Sequence, residues 1–141
     1  MPKIEFALAG PPFSVNNRGN GPHAAKNYRM WTEAVRNACS ARLSDAHSLI
    51  TNDTSVYIAY YFIGQILDID NFVKPILDAL GKKDLKTTSY EPLLWIEDIV
   101  VNRLVVERYE RITGQVFMSE SPVLTSALDE YNEVVYVCIE W

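Results

Sequence analysis

Long apolar runs are missing from this sequence, and no segment approaches the roughly 20 apolar residues of a membrane-spanning helix. The chain also opens without the charged region, apolar region and cleavage site of a secretory signal. Cysteine is scarce, since Cys39 and Cys138 are the only two and their separation matches no metal-binding spacing. We therefore expect a soluble cytoplasmic protein with reduced thiols, in which Cys138 is a buried free thiol within a strand-like run.

Basic residues are outnumbered, and their distribution is uneven. The chain has 13 Lys and Arg against 18 Asp and Glu, a net charge of −5. This balance is unusual for a protein that binds nucleic acid, because such binding usually rests on Lys and Arg contacts to phosphates. Residues 1–43 hold six basic and two acidic side chains, whereas residues 119–141 hold no basic and five acidic ones. The N-terminal third is therefore the predicted positive face, and the C-terminal segment would repel DNA unless it folds away from it.

The pattern of apolar residues predicts one domain of mixed structure. With 141 residues, 48% of them hydrophobic, residues 1–141 can build a single substantial core. Strands are predicted from β-branched and aromatic residues at 3–9, 55–63, 99–108 and 133–140, with 114–118 as a candidate extension of the sheet. Helices are predicted from apolar spacing at 24–43 and 72–80, with a short one at 121–128. We expect an α+β domain with a mixed or mostly antiparallel sheet of about four or five strands and two main helices.

Residues 68–80 divide into an apolar face and a polar face when they are placed on a helix at about 100° per residue. Asp68 and Asp70 lie one residue apart where a loop enters this helix and can turn toward a common point. Such crowded carboxylates are costly unless a cation or a shared proton compensates their charge. Pro75 would clash with the carbonyl of Asn71 in a regular helix, so we expect a kinked first turn or an entry loop over residues 68–71.

A third acidic candidate is the pair Glu97 and Asp98, directly before the apolar run that starts at Ile99. Carboxylate oxygens suit Mg²⁺ or Mn²⁺, which commonly keep waters and the phosphate oxygens of a substrate in their shell. Phosphodiester hydrolysis is the natural use of such a site. A simpler interpretation is also open, because an Asp before a helix is often only an N-cap, and Lys74 can form ordinary i,i+4 pairs on the helix surface.

The two acidic segments together form a more specific pattern. Residues 68–80 read Asp-x-Asp-Asn-x-x-Lys-x-x-x-Asp-Ala-Leu, and residues 95–101 read Trp-x-Glu-Asp-x-x-Val. This combination resembles the RusA family of Holliday junction resolvases, small homodimeric endonucleases that nick four-way DNA junctions using Mg²⁺. Residues 10–17, Gly-Pro-Pro-Phe-Ser-Val-Asn-Asn, match more loosely and look like the loop after the first strand of that family.

The resemblance implies a role for each matched residue. It makes Asp68, Asp70 and Asp98 the metal-binding carboxylates and Lys74 the essential lysine. Asn71 and Glu97 would lie beside them, although Glu97 stands where an aspartate is usual and is not counted as a primary ligand. The implied cofactor is Mg²⁺, with Mn²⁺ as a substitute, and the implied partners are branched DNA and a second copy of the chain.

Candidate DNA contacts lie in three places, and each has a solvated surface role as its alternative. The loop after the first strand offers amides and a guanidinium, the first helix offers two basic residues, and the segment after the second helix offers two lysines. These residues are Asn16, Asn17, Arg18, Lys26, Arg29, Lys82 and Lys83.

The expected function is metal-dependent endonucleolytic cleavage of branched DNA during recombination and repair. A phosphatase of the haloacid dehalogenase type is a rival, since its acidic motif also follows a strand. That motif requires Thr or Val four residues after the first Asp, where this chain has Phe72. A second rival is a junction-binding protein with weak or no cleavage.

Overall fold

The computed structural model describes residues 2–14, 22–45, 47–64, 66–81, 83–84, 89–112 and 119–141. Its strands are β1 (Lys3–Ala9), β2 (Thr54–Phe62), β3 (Lys83–Asp84), β4 (Ser89–Tyr90), β5 (Val101–Glu110) and β6 (Val134–Glu140). Its helices are α1 (Pro22–Ser40), α2 (Ile69–Leu80) and α3 (Pro122–Glu130), and a 3₁₀ turn, Asp98–Val100, precedes β5.

Four of the strands form one mixed sheet in the order β1-β6-β2-β5. The pairs β1–β6 and β6–β2 are antiparallel, and the pair β2–β5 is parallel. Strands β3 and β4 form a separate two-stranded antiparallel sheet between α2 and β5. The expected α+β domain is confirmed, with a mixed sheet of four strands, two main helices and the short third one. The candidate extension of the sheet at 114–118 lies outside the described residues.

The two faces of the sheet are covered by different helices. Side chains alternate between the two faces of a strand. On one face of β2, Val56, Ile58 and Tyr60 pack in the main core with α1 and α2. On the other face, Ala59 and Tyr61 pack against α3. Tyr60 and Tyr61, both buried, are therefore packing residues on the two faces of β2. The C-terminal acidic segment, which forms α3 and β6, places α3 on the face of the sheet opposite α1 and α2.

Helix α2 runs without interruption from Ile69 through Pro75, so the expected entry loop over residues 68–71 is wrong. Pro75 has no N–H to bond the carbonyl of Asn71, which costs the helix one hydrogen bond. The apolar face compensates, because Phe72 and Ile76 are fully buried in the main core. Asp70 and Asn71 are thus helical residues in the first turn.

Both cysteines are free, but their environments differ from the expected ones. Cys39 is the fully buried thiol, on the core face of α1, and burial raises its pKa to about 12, so it stays protonated. Cys138 is only half-buried, because it lies on the face of β6 that α3 covers incompletely. Among the described residues, no helix has the length and apolar character needed to cross a membrane.

The first strand is tied to α3 through Glu5, which supports a pH-dependent prediction. The Ser121 hydroxyl, at 2.6 Å, and the Tyr136 hydroxyl both donate to the Glu5 carboxylate and hold its pKa below the ordinary value of 4.5. A lowered pKa means that the stabilisation is present above pH 4.5 and is lost as the pH falls through the folded-state pKa. We expect Glu5→Gln to lower the free energy of unfolding at neutral pH, with the difference from the parent protein shrinking in acid. Urea unfolding of both proteins across this range measures it, and a difference that stays constant with pH would contradict it.

Candidate active site on the polar face of helix α2

The two carboxylates at the start of α2 are exposed and are not used to cap the helix. Asp68 occupies the N-cap position, with extended backbone (φ −65°, ψ 136°), but its side chain accepts no hydrogen bond from the helix backbone. Its Oδ2 accepts from Nδ2 of the Asn71 side chain at 3.4 Å, a long hydrogen bond. Asp70 lies in the first helical turn and is exposed. The simple N-cap interpretation therefore explains neither carboxylate fully, although both benefit from the positive end of the helix dipole.

Lys74 lies farther along the same face and is held in its charged form. Its Nζ is 3.0 Å from Oδ1 of Asp78, one turn on, so the predicted i,i+4 pair between these two residues is present. The hydrogen bond and charge of Asp78 raise the pKa of Lys74, and the charge of Asp98 raises it further. Asp98 is therefore close enough to Lys74 for the two charges to interact. The Lys74 side chain is 70% exposed, so the ammonium group remains accessible to a ligand.

Asp98 is fixed by a buried tryptophan. The indole N–H of Trp95 donates to Oδ1 of Asp98 at 2.8 Å, and Trp95 is fully buried while the carboxylate is half-buried. The indole ring lies against Gly81, the residue after α2, where an added Cβ would come within 3.2 Å of the ring atoms Cδ1 and Nε1. The sequence pattern included Trp95 but gave no reason to assign it a role, since the contact depends on how α2 packs against the segment before β5.

Asp68 and Asp98 lie toward opposite ends of α2. Leu67, the residue before Asp68, lies beside the second half of β5, where Arg108 donates to the Leu67 carbonyl at 2.8 Å. Trp95, which holds Asp98, contacts Gly81 at the other end of α2. This helix has 12 residues and is about 18 Å long, so the two ends are far apart. In the part of the chain that the structure describes, no three His, Cys, Asp or Glu side chains are grouped to hold a metal ion. Carboxylate oxygens suit Mg²⁺ or Mn²⁺, but this separation does not let one ion touch all three aspartates.

The ends of α2 are anchored by two arginines that sequence reasoning did not single out for this role. Arg108 holds the segment before the helix, as described above. Arg36 of α1 donates to the carbonyls of Ala79 (2.8 Å), Gly81 (3.4 Å) and Glu91 (2.6 Å). A cation at the C-terminal end of a helix also complements its dipole. The guanidinium of Arg36 is thus engaged inside the chain.

We expect Arg36→Met to destabilise the fold measurably. The substitution keeps much of the aliphatic stem but leaves these carbonyls without their charged donor, which costs roughly 1–3 kcal/mol in the free energy of unfolding. Urea unfolding measures the change. Arg42→Met is the matched control, since Arg42 is exposed just beyond α1 and its loss should change stability by less than about 0.5 kcal/mol. Equal effects of the two substitutions would contradict the anchoring role of Arg36.

The candidate DNA contacts are described only in part. Lys26 is exposed and Arg29 half-buried on α1, and Lys83 lies in β3. The remaining candidates, Asn16, Asn17, Arg18 and Lys82, lie outside the described residues. Of the two residues expected beside the metal ligands, Asn71 is half-buried in α2 and Glu97 is exposed at the N-cap of the 3₁₀ turn.

No protein-family model matches the chain, and no curated protein matches it either. The resemblance to the RusA family therefore rests on the residues of the two motif segments, 68–80 and 95–101, and more loosely on residues 10–17.

Proposed function

We propose that this protein is a metal-dependent endodeoxyribonuclease that nicks four-way DNA junctions, acting as a cytoplasmic homodimer. The observation that carries the proposal is the pairing of a fixed anion with an accessible cation. Trp95 holds Asp98 in place, and the charge of Asp98 acts on Lys74. Asp68 and Asp70 are exposed on the same helix, where no capping bond occupies the Asp68 side chain. This surface therefore offers both carboxylate oxygens and a positive charge to a phosphodiester.

The residues have separable roles in the proposed site. Asp68, Asp70 and Asp98 would hold Mg²⁺ or Mn²⁺, and a bound ion supplies an activated water and offsets charge on the reacting phosphate. Because these carboxylates are apart in the structure, metal binding would have to bring the start of α2 toward Asp98, which Trp95 holds in place. Lys74 would contact the scissile phosphate directly, where a charged donor stabilises the negative charge that develops in the transition state. Lys74 is protonated at neutral pH, and Asp78 and Asp98 favour that form because they raise its pKa.

The arrangement of charge supports a DNA surface on the helical face that carries α1 and α2. Lys26 and Arg29 of α1 lie on the same side of the sheet as α2. The acidic helix α3 lies on the opposite side, so most of its charge is removed from this surface. The conflict between a net charge of −5 and DNA binding is thereby reduced, and we expect affinity for DNA to fall steeply with salt.

A homodimer suits the proposed substrate. A four-way junction offers pairs of equivalent strands, so two symmetry-related sites in one particle can make two matched nicks, and two-fold symmetry is the commonest arrangement of small homo-oligomers. Light scattering at micromolar concentration, with and without junction DNA, should give the mass of two chains. A monomer mass in both conditions would count against this part of the proposal.

Nicking of a synthetic four-way junction, beside a linear duplex of the same sequence, tests the function. We expect Mg²⁺-dependent nicks in the junction and few in the duplex. The alternative is a junction-binding protein without cleavage. Tight junction binding with no nicking in Mg²⁺ or Mn²⁺ would establish that alternative, and equal cleavage of junction and duplex would reject selectivity for branched DNA.

A further inference from the structure

We propose that Trp95 is the positioning residue for Asp98, and that Gly81 is a glycine because the indole of Trp95 must lie against it. The inference rests on the proposed function, since it gives Asp98 a task for which a fixed orientation matters. Trp95 is fully buried, and its N–H donates to Oδ1 of Asp98 at 2.8 Å. One carboxylate oxygen is thus held by a rigid ring, and Oδ2 is left for a ligand.

The backbone around Trp95 is itself anchored, so the indole is a firm support. The N–H of Leu94 donates to the Leu80 carbonyl at 2.8 Å, and the Leu94 carbonyl accepts from the N–H of Ile50 at 2.7 Å. These bonds join the segment before Asp98 to the end of α2 and to the chain before β2. A half-buried aspartate in a surface turn would otherwise sample several rotamers, and a misplacement of about 1 Å at a reacting group can cost 10²-fold in rate.

Gly81 shows how closely the ring is confined. Its backbone has φ −98°, a conformation open to any residue, so conformational freedom does not explain the glycine. Space does, because a Cβ there would lie 3.2 Å from both Cδ1 and Nε1 of the indole. In Gly81→Ala the added Cβ therefore crowds Nε1 of Trp95, the atom that donates to Asp98, but the indole itself is not substituted.

The contact itself is tested by NMR, independently of any activity. The chain has three tryptophans, so three indole N–H signals are expected, and single Trp→Phe variants assign them. In Asp98→Ala we expect the Trp95 indole proton to move upfield and to exchange faster with solvent, since it loses its acceptor. The signal of Trp31, whose buried Nε1 finds no partner among the described residues, should not move. An unmoved Trp95 signal overturns the proposal.

The positioning role is tested by the kinetics of junction nicking. We expect Trp95→Phe to lower kcat by on the order of 10- to 100-fold, the usual cost of removing a supporting partner of a site residue, with little change in KM. Trp31→Phe is the matched control, because it also removes a buried indole, one whose N–H donates to no group among the described residues, and its kcat should be parental. If Trp95→Phe does not fold, Gly81→Ala replaces it, with a smaller loss of kcat expected.

The outcomes separate this proposal from the proposed function. If the parent protein nicks junctions and Trp95→Phe keeps the parental kcat, the positioning role alone is overturned. Where Trp95→Phe does not fold, a parental kcat in Gly81→Ala has the same meaning. Equal losses in Trp95→Phe and Trp31→Phe also overturn it, since a general loss of packing would then explain both. A parent protein that nicks nothing overturns the proposed function and, with it, the task assigned to Asp98, even where the NMR contact is present.

Discussion

Asp70→Asn is expected to abolish Mg²⁺-dependent nicking of a four-way junction while leaving the fold intact. Asp70 is exposed in the first turn of α2, so an asparagine fits without loss of packing. If Asp70 is a metal ligand, its replacement should lower the nicking rate by more than the roughly 10- to 100-fold loss caused by removing a supporting residue. Junction binding should not fall with nicking. The variant has one negative charge fewer beside the phosphate, so its junction affinity in metal-free buffer should equal or exceed that of the parent, most visibly at low salt. Gel-based nicking and fluorescence-anisotropy binding measure the two effects.

Asp129→Asn is the matched control for Asp70→Asn. It makes the same charge change at an exposed helical position, on α3 and therefore on the other side of the sheet, and it should leave nicking unaffected. Near-parental nicking by a folded Asp70→Asn protein would reject the role of Asp70. Joint loss of nicking and binding would instead indicate a structural defect.

Lys74→Met is expected to lower kcat for nicking by about 10²–10³-fold, the cost of removing one preorganised donor to transition-state charge. The competing interpretation is that Lys74 serves only the surface pair with Asp78, whose Oδ1 lies 3.0 Å away. In that case Lys74→Met and Asp78→Asn should behave alike in nicking, each losing the helix pair with no effect on rate. Single-turnover nicking and urea unfolding of both variants separate the two interpretations.

A large loss of kcat in Lys74→Met, with a much smaller one in Asp78→Asn, supports a direct role for the ammonium group. Lys74→Arg adds a further test, since it keeps the charge in a planar group and should retain part of the activity if charge dominates. Equal and small effects of Lys74→Met and Asp78→Asn on kcat would show that Lys74 serves only the ion pair with Asp78.

Local pattern was enough to predict most of the fold. The first strand was predicted at residues 3–9, as found, and β2 was displaced by one residue from the prediction, because β-branched and aromatic runs flanked by turn residues are local signals. The start of α2 was not predicted correctly. Pro75 indicated a later start on local grounds, but burial of the apolar face of α2 outweighs the one missing hydrogen bond.

The sequence named candidate residues for a site, but it did not predict where the fold places them. Two acidic segments separated by a short stretch of chain were expected to meet at one point. The parallel pairing of β2 and β5 makes α2 a crossover element, so the residues before α2 and those before β5 emerge toward opposite ends of that helix. The Trp95–Asp98 bond and the Arg36 anchor depend on the same packing, which no spacing in the sequence encodes.

The central claim is that Asp68, Asp70 and Asp98 serve one divalent-metal site, and a crystal structure with Mn²⁺ tests it most directly. The ion can be located by its anomalous scattering without reference to activity. We predict Mn²⁺ bonded to Asp98 and to at least one of Asp68 and Asp70, with the three carboxylates drawn to within roughly 8 Å of one another, the span that two ions about 4 Å apart can bridge. Mn²⁺ bound elsewhere, or no bound ion at millimolar concentration with Asp68 and Asp98 still at opposite ends of α2, would contradict the account.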